Sequence, residues 1–220
     1  MGKIKNFFRV LESYLFGVKL KTIESPLNGT LELWLINNKK ELNTKNANQS
    51  FGSMQEIFRK VFETIKLKEK KTDKILLLGL GCGTIPEIIF EELKLNCSMT
   101  AVEYDPIMIG IAKDHFDILR FKDLVIETGD AKKYVNECPD KFDLIVVDLF
   151  NDDVVPEDFL QLDFLKRVCE CLNDEGMLVF NMVTRTKLQQ SKFVELKKYF
   201  AHSEVIKIFS NSVLVHKKSM

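Results

Sequence analysis

Short apolar runs alternate with amphipathic stretches from Lys74 to the end of the chain. The apolar runs predict strands at 75–79, 99–103, 124–127, 143–148 and 177–182, and the amphipathic stretches predict helices at 85–94, 106–119, from about 131, 157–172 and 186–200. Two last runs, 205–209 and 212–216, predict a closing hairpin that contributes one antiparallel strand. Because strands alternate with helices, we expect an α/β fold with a doubly wound, mostly parallel seven-stranded sheet.

The first 50 residues follow a different pattern. Residues 3–13 carry apolar side chains at helical spacing, and residues 14–45 contain alternating runs separated by Asn28-Gly29, a strong hairpin signal. We therefore expect a helix and a small antiparallel β-appendage. Helical spacing returns at 50–67. The sequence thus predicts two units, an N-terminal appendage over 1–50 and a ligand-binding domain over 51–220.

A glycine-rich turn follows the first core strand, with Gly79, Gly81 and Gly83 at alternate positions, and the second strand ends in Glu103. Glycine lets the backbone approach a ligand closely, and an acid at the second strand end can hold two ribose hydroxyls. A dinucleotide site favours Gly or Ala where this chain has Thr84, whose branched side chain would crowd a pyrophosphate. The pattern therefore favours S-adenosylmethionine or a derivative over NAD.

Three further residues follow predicted strands where ligands gather in such sheets. Asp130, beside the small Ala131, could accept a hydrogen bond from the adenine amino group, or it could only cap a helix. Asp148 follows the central strand and could orient an amine nucleophile or remove its proton. Asp152 and Asp153 either share that task or mark a polar loop, and Asp105 is interpreted as a helix cap alone.

Composition excludes several classes of function. The 32 basic and 32 acidic residues give a formal net charge of zero, so we expect no nucleic-acid partner. Charged residues interrupt the apolar positions near the start, so we expect neither a signal peptide nor a membrane partner. The five cysteines form no Cys-x-x-Cys pair and the three histidines are scattered, so we predict reduced thiols, no metal site and a cytoplasmic location.

The motifs together resemble those of class I S-adenosylmethionine-dependent methyltransferases, and most closely the spermidine synthase family within that Rossmann-like fold. The resemblance runs from about residue 14 to the end and rests on the appendage and on residues 78–84, 102–106, 129–131 and 142–148. It implies that Gly79, Gly81 and Gly83 position the methionine part of the cofactor and that Glu103 holds the ribose. It also implies a homodimer or higher oligomer, with the N-terminal segment in the contact.

Two substitutions depart from that family. Its glycine turn carries an acid that holds the amine of decarboxylated S-adenosylmethionine, and Cys82 stands there in this chain. Its second acid after the fourth strand is replaced by Asn151. We therefore expect methyl transfer from S-adenosylmethionine to a small acceptor, for which an amine is one candidate. Aminopropyl transfer to a diamine and a non-catalytic relative of the family are the alternative hypotheses.

Overall fold

The computed structural model describes residues 2–44, 52–152, 154–200 and 202–218. Its strands are β1 (Val18–Ser25), β2 (Gly29–Ile36), β3 (Lys39–Asn43), β4 (Lys74–Leu78), β5 (Ser98–Glu103), β6 (Leu124–Thr128), β7 (Phe142–Val147), β8 (Leu172–Val183), β9 (Glu204–Ile208) and β10 (Asn211–Lys217). Its α-helices are α1 (Gly2–Leu15), α2 (Ser53–Thr64), α3 (Thr84–Glu87), α4 (Pro106–Phe116), α5 (Ala131–Glu137), α6 (Leu162–Glu170) and α7 (Lys187–Tyr199).

The main sheet has seven strands in the order β6-β5-β4-β7-β8-β10-β9. Strands β4 to β8 pair in parallel, and β10 pairs antiparallel with both β8 and β9. The strand order reverses beside β4, where the chain leaves for β5 on one side and later returns to β7 on the other. The predicted α/β fold with a mostly parallel seven-stranded sheet is confirmed, and its antiparallel strand lies second from the edge.

The central strands are buried on both faces because helices cover both. In β4, Ile75 and Leu77 pack in one apolar cluster with α2 and α3, whereas Leu76 and Leu78 pack in a second cluster with α5, α6 and α7. Alternate side chains of a strand point to opposite faces, so a continuous apolar run fits a strand between two helical layers. This packing holds the central strands in place, and with them the polar residues at their carboxyl ends.

The appendage is a three-stranded antiparallel sheet in the order β1-β2-β3. Its second turn contains Asn37 and Asn38, whose φ angles are 49° and 60°. Left-handed conformations at both positions suit a two-residue hairpin turn, and Asn tolerates them better than most residues. The predicted small antiparallel sheet is therefore confirmed. The predicted apolar face of α1 falls partly on the side chains of residues 1–8, which lie outside the described part.

Several predicted boundaries were wrong. The helix expected at 85–94 is one α-turn, α3, that continues as a π-helix over Ile88–Glu92. The helix expected at 106–119 ends at Phe116, because Asp117 has a left-handed φ of 50°. The helix expected at 157–172 consists of a 3₁₀ turn, Glu157–Leu160, followed by α6.

The sequence Thr84-Ile85-Pro86-Glu87 predicts a capping box with an early proline at the start of α3, and this prediction is wrong. Gly83 takes the N-cap position with a φ of 89°, so Thr84 is the first helical residue. Because a cap residue must have non-helical angles, the Thr84 hydroxyl cannot cap this helix. That hydroxyl is buried and has no hydrogen-bond partner.

Within the described ranges, no helix is long and apolar enough to cross a membrane.

Candidate functional site

The turn between β4 and α3 is built on left-handed glycines. Gly79 has a φ of 95°, and a Cβ there would lie 2.3 Å from the Asp148 carbonyl oxygen. Gly81 has a φ of 54°. Ile118 fills the space beside Gly83, since its Cδ1 would lie 2.3 Å from a Cβ added at position 83. Gly79 and Gly81 line a pocket beside the turn, whereas Gly83 is not among its lining residues.

Glu103 is the last residue of β5, and its carboxylate binds the same turn. Its Oε2 accepts hydrogen bonds from the backbone N–H groups of Leu80 and Gly81, both at 3.1 Å, and its Oε1 accepts one from Asp105 N at 3.0 Å. Burial raises the pKa of the Glu103 carboxyl, and these three backbone hydrogen bonds oppose that shift. A carboxylate offers about four acceptor positions, so Glu103 can hold the turn and still accept from a ligand hydroxyl.

Asp130 and Ala131 lie at the β6–α5 junction on the pocket wall. Asp130 is the N-cap of α5, and its Oδ1 accepts a hydrogen bond from Lys133 N at 2.8 Å. The cap uses one of the two carboxylate oxygens, so the cap and the predicted ligand role are compatible. Ala131 is buried and leaves room for a flat ring.

Asp148 follows β7 directly and lines the pocket between Gly79 and the loop after β7. Its Oδ1 accepts a hydrogen bond from Asn181 Nδ2 at 2.9 Å. Burial raises the pKa of the Asp148 carboxyl to about 6; the Asn181 hydrogen bond opposes this, and the charge of Glu103 adds to it. A carboxylate with a pKa near neutrality is suited to take up a proton at physiological pH.

Of the two further acids predicted near Asp148, the structure describes only Asp152. Asp152 accepts a hydrogen bond from Thr44 Oγ1 at 2.5 Å and is not among the lining residues. Asp153 lies outside the described residues. The hypothesis that these acids share the task of Asp148 therefore has no geometric support from Asp152.

Asp105 is more than a helix cap. Its Oδ1 accepts from Ile107 N at 2.8 Å, and its Oδ2 accepts from Ser25 Oγ at 2.5 Å and from Asn28 Nδ2 at 2.6 Å. The carboxylate is only 2% exposed. It thereby ties the β1–β2 turn of the appendage to the start of α4, and Leu27 and Asn28 of this turn line the pocket.

Cys82 is not among the residues that line the pocket. Its side chain is 2% exposed and packs in an apolar cluster between the appendage and α4, with Leu31, Leu33 and Met108. Burial raises the pKa of the Cys82 thiol well above its usual range. The thiol is therefore neutral and structural, and this position of the glycine turn places no charge in the pocket.

The pocket has a volume of about 310 Å³, at the lower end of the roughly 300–1,000 Å³ of small-molecule sites. Five acidic residues are among those that line it: Glu103, Asp105, Asp130, Asp148 and Asp158. Among the described lining residues, none is Lys, Arg or His. Such a wall favours a cationic ligand and disfavours a pyrophosphate, which needs compensating positive charge.

Several residues of this pocket were not predicted from the sequence. Leu27 and Asn28 come from the appendage, and Phe150, Pro156 and Phe159 come from the segment after β7. The sequence held one usable signal nearby: Asn181 is the only polar residue in the apolar run 177–183. A lone amide in a buried strand requires a hydrogen-bond partner, and here that partner is Asp148.

Residues 58–215 match the family model described as the spermine/spermidine synthase domain. The chain belongs to the spermine/spermidine synthase domain family. The match covers every strand of the main sheet except the last residues of β10, and it includes each predicted site residue. The appendage precedes it.

Curated relatives of two kinds share this part of the chain. A polyamine aminopropyltransferase of Vibrio vulnificus is 30% identical over 141 residues, which cover 63% of this chain and 47% of that protein. An eEF1A lysine and N-terminal methyltransferase homolog of Drosophila pseudoobscura pseudoobscura is 28% identical over 148 residues, which cover 62% of this chain and 22% of that protein. The chain therefore spans less than half the length of these relatives.

A solved structure agrees in fold. Human methyltransferase-like protein 13, in complex with SAH, matches with a TM-score of 0.64 and 23% sequence identity. The match covers 77% of this chain and 83% of that one. At this identity the likeness supports the fold alone, the methyltransferase fold with its parallel sheet.

Proposed function

We propose that this protein is a transferase that binds S-adenosylmethionine and moves its methyl group to a small acceptor. The spermine/spermidine synthase domain family includes relatives named as methyltransferases and as aminopropyltransferases. The choice between these reactions depends on what the pocket offers to the methionine end of the cofactor.

The residue at position 82 favours S-adenosylmethionine over its decarboxylated form. In the aminopropyltransferases that the sequence resembles, this place in the turn holds an acid for the amine of the decarboxylated cofactor. Here a neutral thiol fills it, buried among Leu31, Leu33 and Met108. The N–H groups of Leu80 and Gly81 in this turn already donate to Glu103, so support for the choice comes from the missing acid. S-adenosylmethionine carries a carboxylate beside its amine, whereas the decarboxylated form carries the amine alone and is the form that such an acid would hold.

The lining of the pocket fits this cofactor. Gly79 and Gly81 let the ligand approach the backbone, Glu103 suits the ribose hydroxyls, and Asp130 with Ala131 suits the adenine edge. Acidic residues in the lining, with no Lys, Arg or His among the described ones, favour the positive sulfonium. When bound, S-adenosylmethionine supplies an electrophilic methyl group; the residues of the chain align the acceptor and exclude water.

Asp148 is our candidate for the acceptor side of the pocket. It lies at the switch in strand order, with Phe150 and Phe159 forming an apolar wall nearby. We propose that its carboxylate orients the acceptor and takes up the proton that the attacking nucleophile loses. An acceptor that is cationic at neutral pH, such as an amine, fits the acids Asp148 and Asp158 at this end.

Product analysis tests the proposal. The purified protein would be incubated with S-adenosylmethionine, or with its decarboxylated form, and a panel of small amines. We expect S-adenosylhomocysteine and a product heavier by one methyl group, detected by mass spectrometry. Formation of methylthioadenosine from the decarboxylated cofactor and a diamine, without methylated product, would establish aminopropyl transfer instead.

Aminopropyl transfer is the second candidate because two observations favour it. The family model that matches residues 58–215 is that of spermine and spermidine synthases. The acid-lined pocket also suits a doubly cationic decarboxylated cofactor and a diamine. We rank it second because Asn151 and Cys82 replace the acids that the resemblance places around those amines.

We further propose a cytoplasmic homodimer or higher homo-oligomer, built from an appendage unit over 1–50 and a cofactor-binding domain over 51–220. Support for the contact comes from the end of α1, where Tyr14, Leu15 and Phe16 are 57%, 69% and 87% exposed. Apolar side chains this exposed mark interaction surfaces. Gel filtration of a Leu15→Lys/Phe16→Lys variant should give a smaller species than the parent protein, and an unchanged size would reject this contact.

A further inference from the structure

Two buried amides stand behind Asp148. Asn181 of β8 is 0% exposed and Asn211 of β10 is 7% exposed. Neither lines the pocket. Buried amides are retained only where their hydrogen-bonding groups find partners, so their partners indicate what they do.

The two amides form a chain that ends on Asp148. Asn211 Nδ2 donates to Asn181 Oδ1 at 2.9 Å, and Asn181 Nδ2 donates to Asp148 Oδ1 at 2.9 Å. The three residues come from β10, β8 and the end of β7, which are neighbours in the sheet. Asn181 lies two residues after Val179 in β8, and Asn211 lies two residues before Val213 in β10. Because residues two apart in a strand share a face, both amides lie on the sheet face that α2 covers.

The hydrogen bonds of this chain run in one direction in the structure. An amide can present either its oxygen or its nitrogen, and the surrounding hydrogen bonds decide which. Asn211 donates to the oxygen of Asn181, and the nitrogen of Asn181 faces Asp148. A nitrogen donor favours the ionised carboxylate, whereas an oxygen there would favour the protonated acid.

We propose that Asn211 and Asn181 are positioning residues that together hold Asp148 in one orientation and in its ionised, proton-accepting form. Asn181 acts by direct contact, and Asn211 acts by preventing the Asn181 amide from turning over. The consequence for methyl transfer rests on the proposed function; the effect on the ionisation of Asp148 does not.

The surroundings of Asp148 show why such a chain is needed. Burial and the charge of Glu103, at the end of β5, both raise the pKa of Asp148, and the Asn181 hydrogen bond opposes them. From α2, Met54 contributes an uncharged thioether, 3.9 Å from Asn181 Nδ2. From β8 the Asn181 amide contacts Asp148, and from β10 the Asn211 amide contacts Asn181. Asn181 is thus the donor that keeps this carboxylate ionised near neutral pH.

A titration of the carboxyl of Asp148 tests the proposal directly. Carboxyl carbon-13 NMR would be recorded on the apo protein, with the Asp148 signal assigned by its loss in Asp148→Asn. We expect a pKa near 6 in the parent protein and an increase of about one unit in Asn181→Ala, a tenfold change in ionisation. In Asn211→Ala we expect an increase in the same direction and of smaller size.

Ser212→Ala is the matched control. Ser212 adjoins Asn211 on β10 and is 2% exposed, but its hydroxyl pairs with Thr184 Oγ1 at 2.9 Å instead of joining the chain. Its substitution should leave the pKa of Asp148 unchanged. The proposal is overturned if Asn181→Ala leaves that pKa in place, or if Ser212→Ala shifts it as much as Asn211→Ala does. Should Asn181→Ala fail to fold, Asn211→Ala decides alone against this control.

Kinetics give a second readout that depends on the proposed function. In Asn211→Ala, kcat should fall at pH 6 and recover by about pH 8, with the KM for S-adenosylmethionine unchanged. A loss of kcat that is independent of pH would show a merely structural role. If no methyl transfer is found in the parent protein, the titration still stands, so failure of the proposed function and failure of the amide chain are distinguishable.

Discussion

Asp148 combines burial with a place on the pocket wall, and both properties affect its chemistry. A carboxylate in water has a pKa near 3.8, whereas burial raises that of Asp148 to about 6. The group is thus ionised at neutral pH yet basic enough to accept a proton. Proteins tolerate such an unfavourable burial where a site requires it.

We predict that Asp148→Asn lowers kcat by about 10² to 10⁴, the usual contribution of a general base. In the parent protein, kcat should rise through an acidic limb near pH 6 because Asp148 must be ionised. Initial rates between pH 5 and 8.5 measure both effects. Methyl transfer that survives the substitution unchanged would assign Asp148 no part in the reaction.

The same substitution should stabilise the fold in alkaline solution. The folded pKa of about 6 exceeds the ordinary value of 3.8, so the ionised group destabilises the native state above pH 6 and this effect vanishes towards pH 4. Asp148→Asn should therefore raise Tm at pH 8 and leave it nearly unchanged at pH 4. Calorimetric scans at these two pH values measure the difference.

Glu103 differs from Asp148 because it holds the turn, and we propose that it also holds the ligand. We predict that Glu103→Gln weakens S-adenosylmethionine binding at least tenfold, or about 1.4 kcal/mol. An amide nitrogen replaces one of the oxygens that accept from Leu80 N, Gly81 N and Asp105 N. Glu127→Gln, an exposed acid on the neighbouring strand, is the control. Equal affinities of the two variants would contradict the assigned role of Glu103.

At the scale of elements, the β1–β2 turn forms one wall of the pocket, and Asp105 anchors it. We predict that Asn28→Ala weakens cofactor binding several-fold with little change in Tm, because it removes one hydrogen bond to Asp105 and leaves the α4 cap intact. Fluorescence or calorimetric titration gives the affinity. Thr30→Ala, which removes an exposed hydrogen bond to Glu24 in the same hairpin, should bind like the parent; if both variants bind equally well, the turn has no role in binding.

The sequence predicted the main elements because their signals are local. The run 75–78 is buried on both faces and had to be a central strand, and Asp105-Pro106 gave the start of α4 correctly. The start of α3 was predicted wrongly because two residues, Gly83 and Thr84, both suit a cap. The structure places Gly83 at the cap, where its φ is 89° and Ile118 leaves no room for a side chain. The contact with Ile118 spans 35 positions of the chain, so it is not visible in the local sequence.

The site was predictable to the same extent. Gly79, Gly81, Glu103, Asp130, Ala131 and Asp148 follow strand ends, and the structure brings them to one pocket. Asn28 and Asn211 could not be predicted, because each is placed by a partner far away in sequence: Asp105 holds Asn28 on the pocket wall, and Asn181 links Asn211 to Asp148. A sequence shows which residues follow a strand but not which distant amide pairs with them.

At the scale of the whole molecule, the appendage and the main domain share an apolar cluster. Leu31, Leu33 and Leu42 of the small sheet are at most 1% exposed and pack with Cys82, Met108 and Phe116. We predict that a fragment of residues 51–220 is less stable than the full chain by several kcal/mol, since each buried leucine contributes about 2–5 kcal/mol. Denaturant unfolding measures the difference, and a fragment as stable as the full chain would make the two units independent.

The central claim is that the pocket beside Gly79 and Glu103 binds S-adenosylmethionine, carboxylate included. Isothermal titration calorimetry of the full chain with S-adenosylmethionine and with its decarboxylated form tests this most directly. We predict saturable one-to-one binding of S-adenosylmethionine, and binding of the decarboxylated form that is at least tenfold weaker. Tighter binding of the decarboxylated cofactor, or no heat with either at millimolar concentration, would contradict the account.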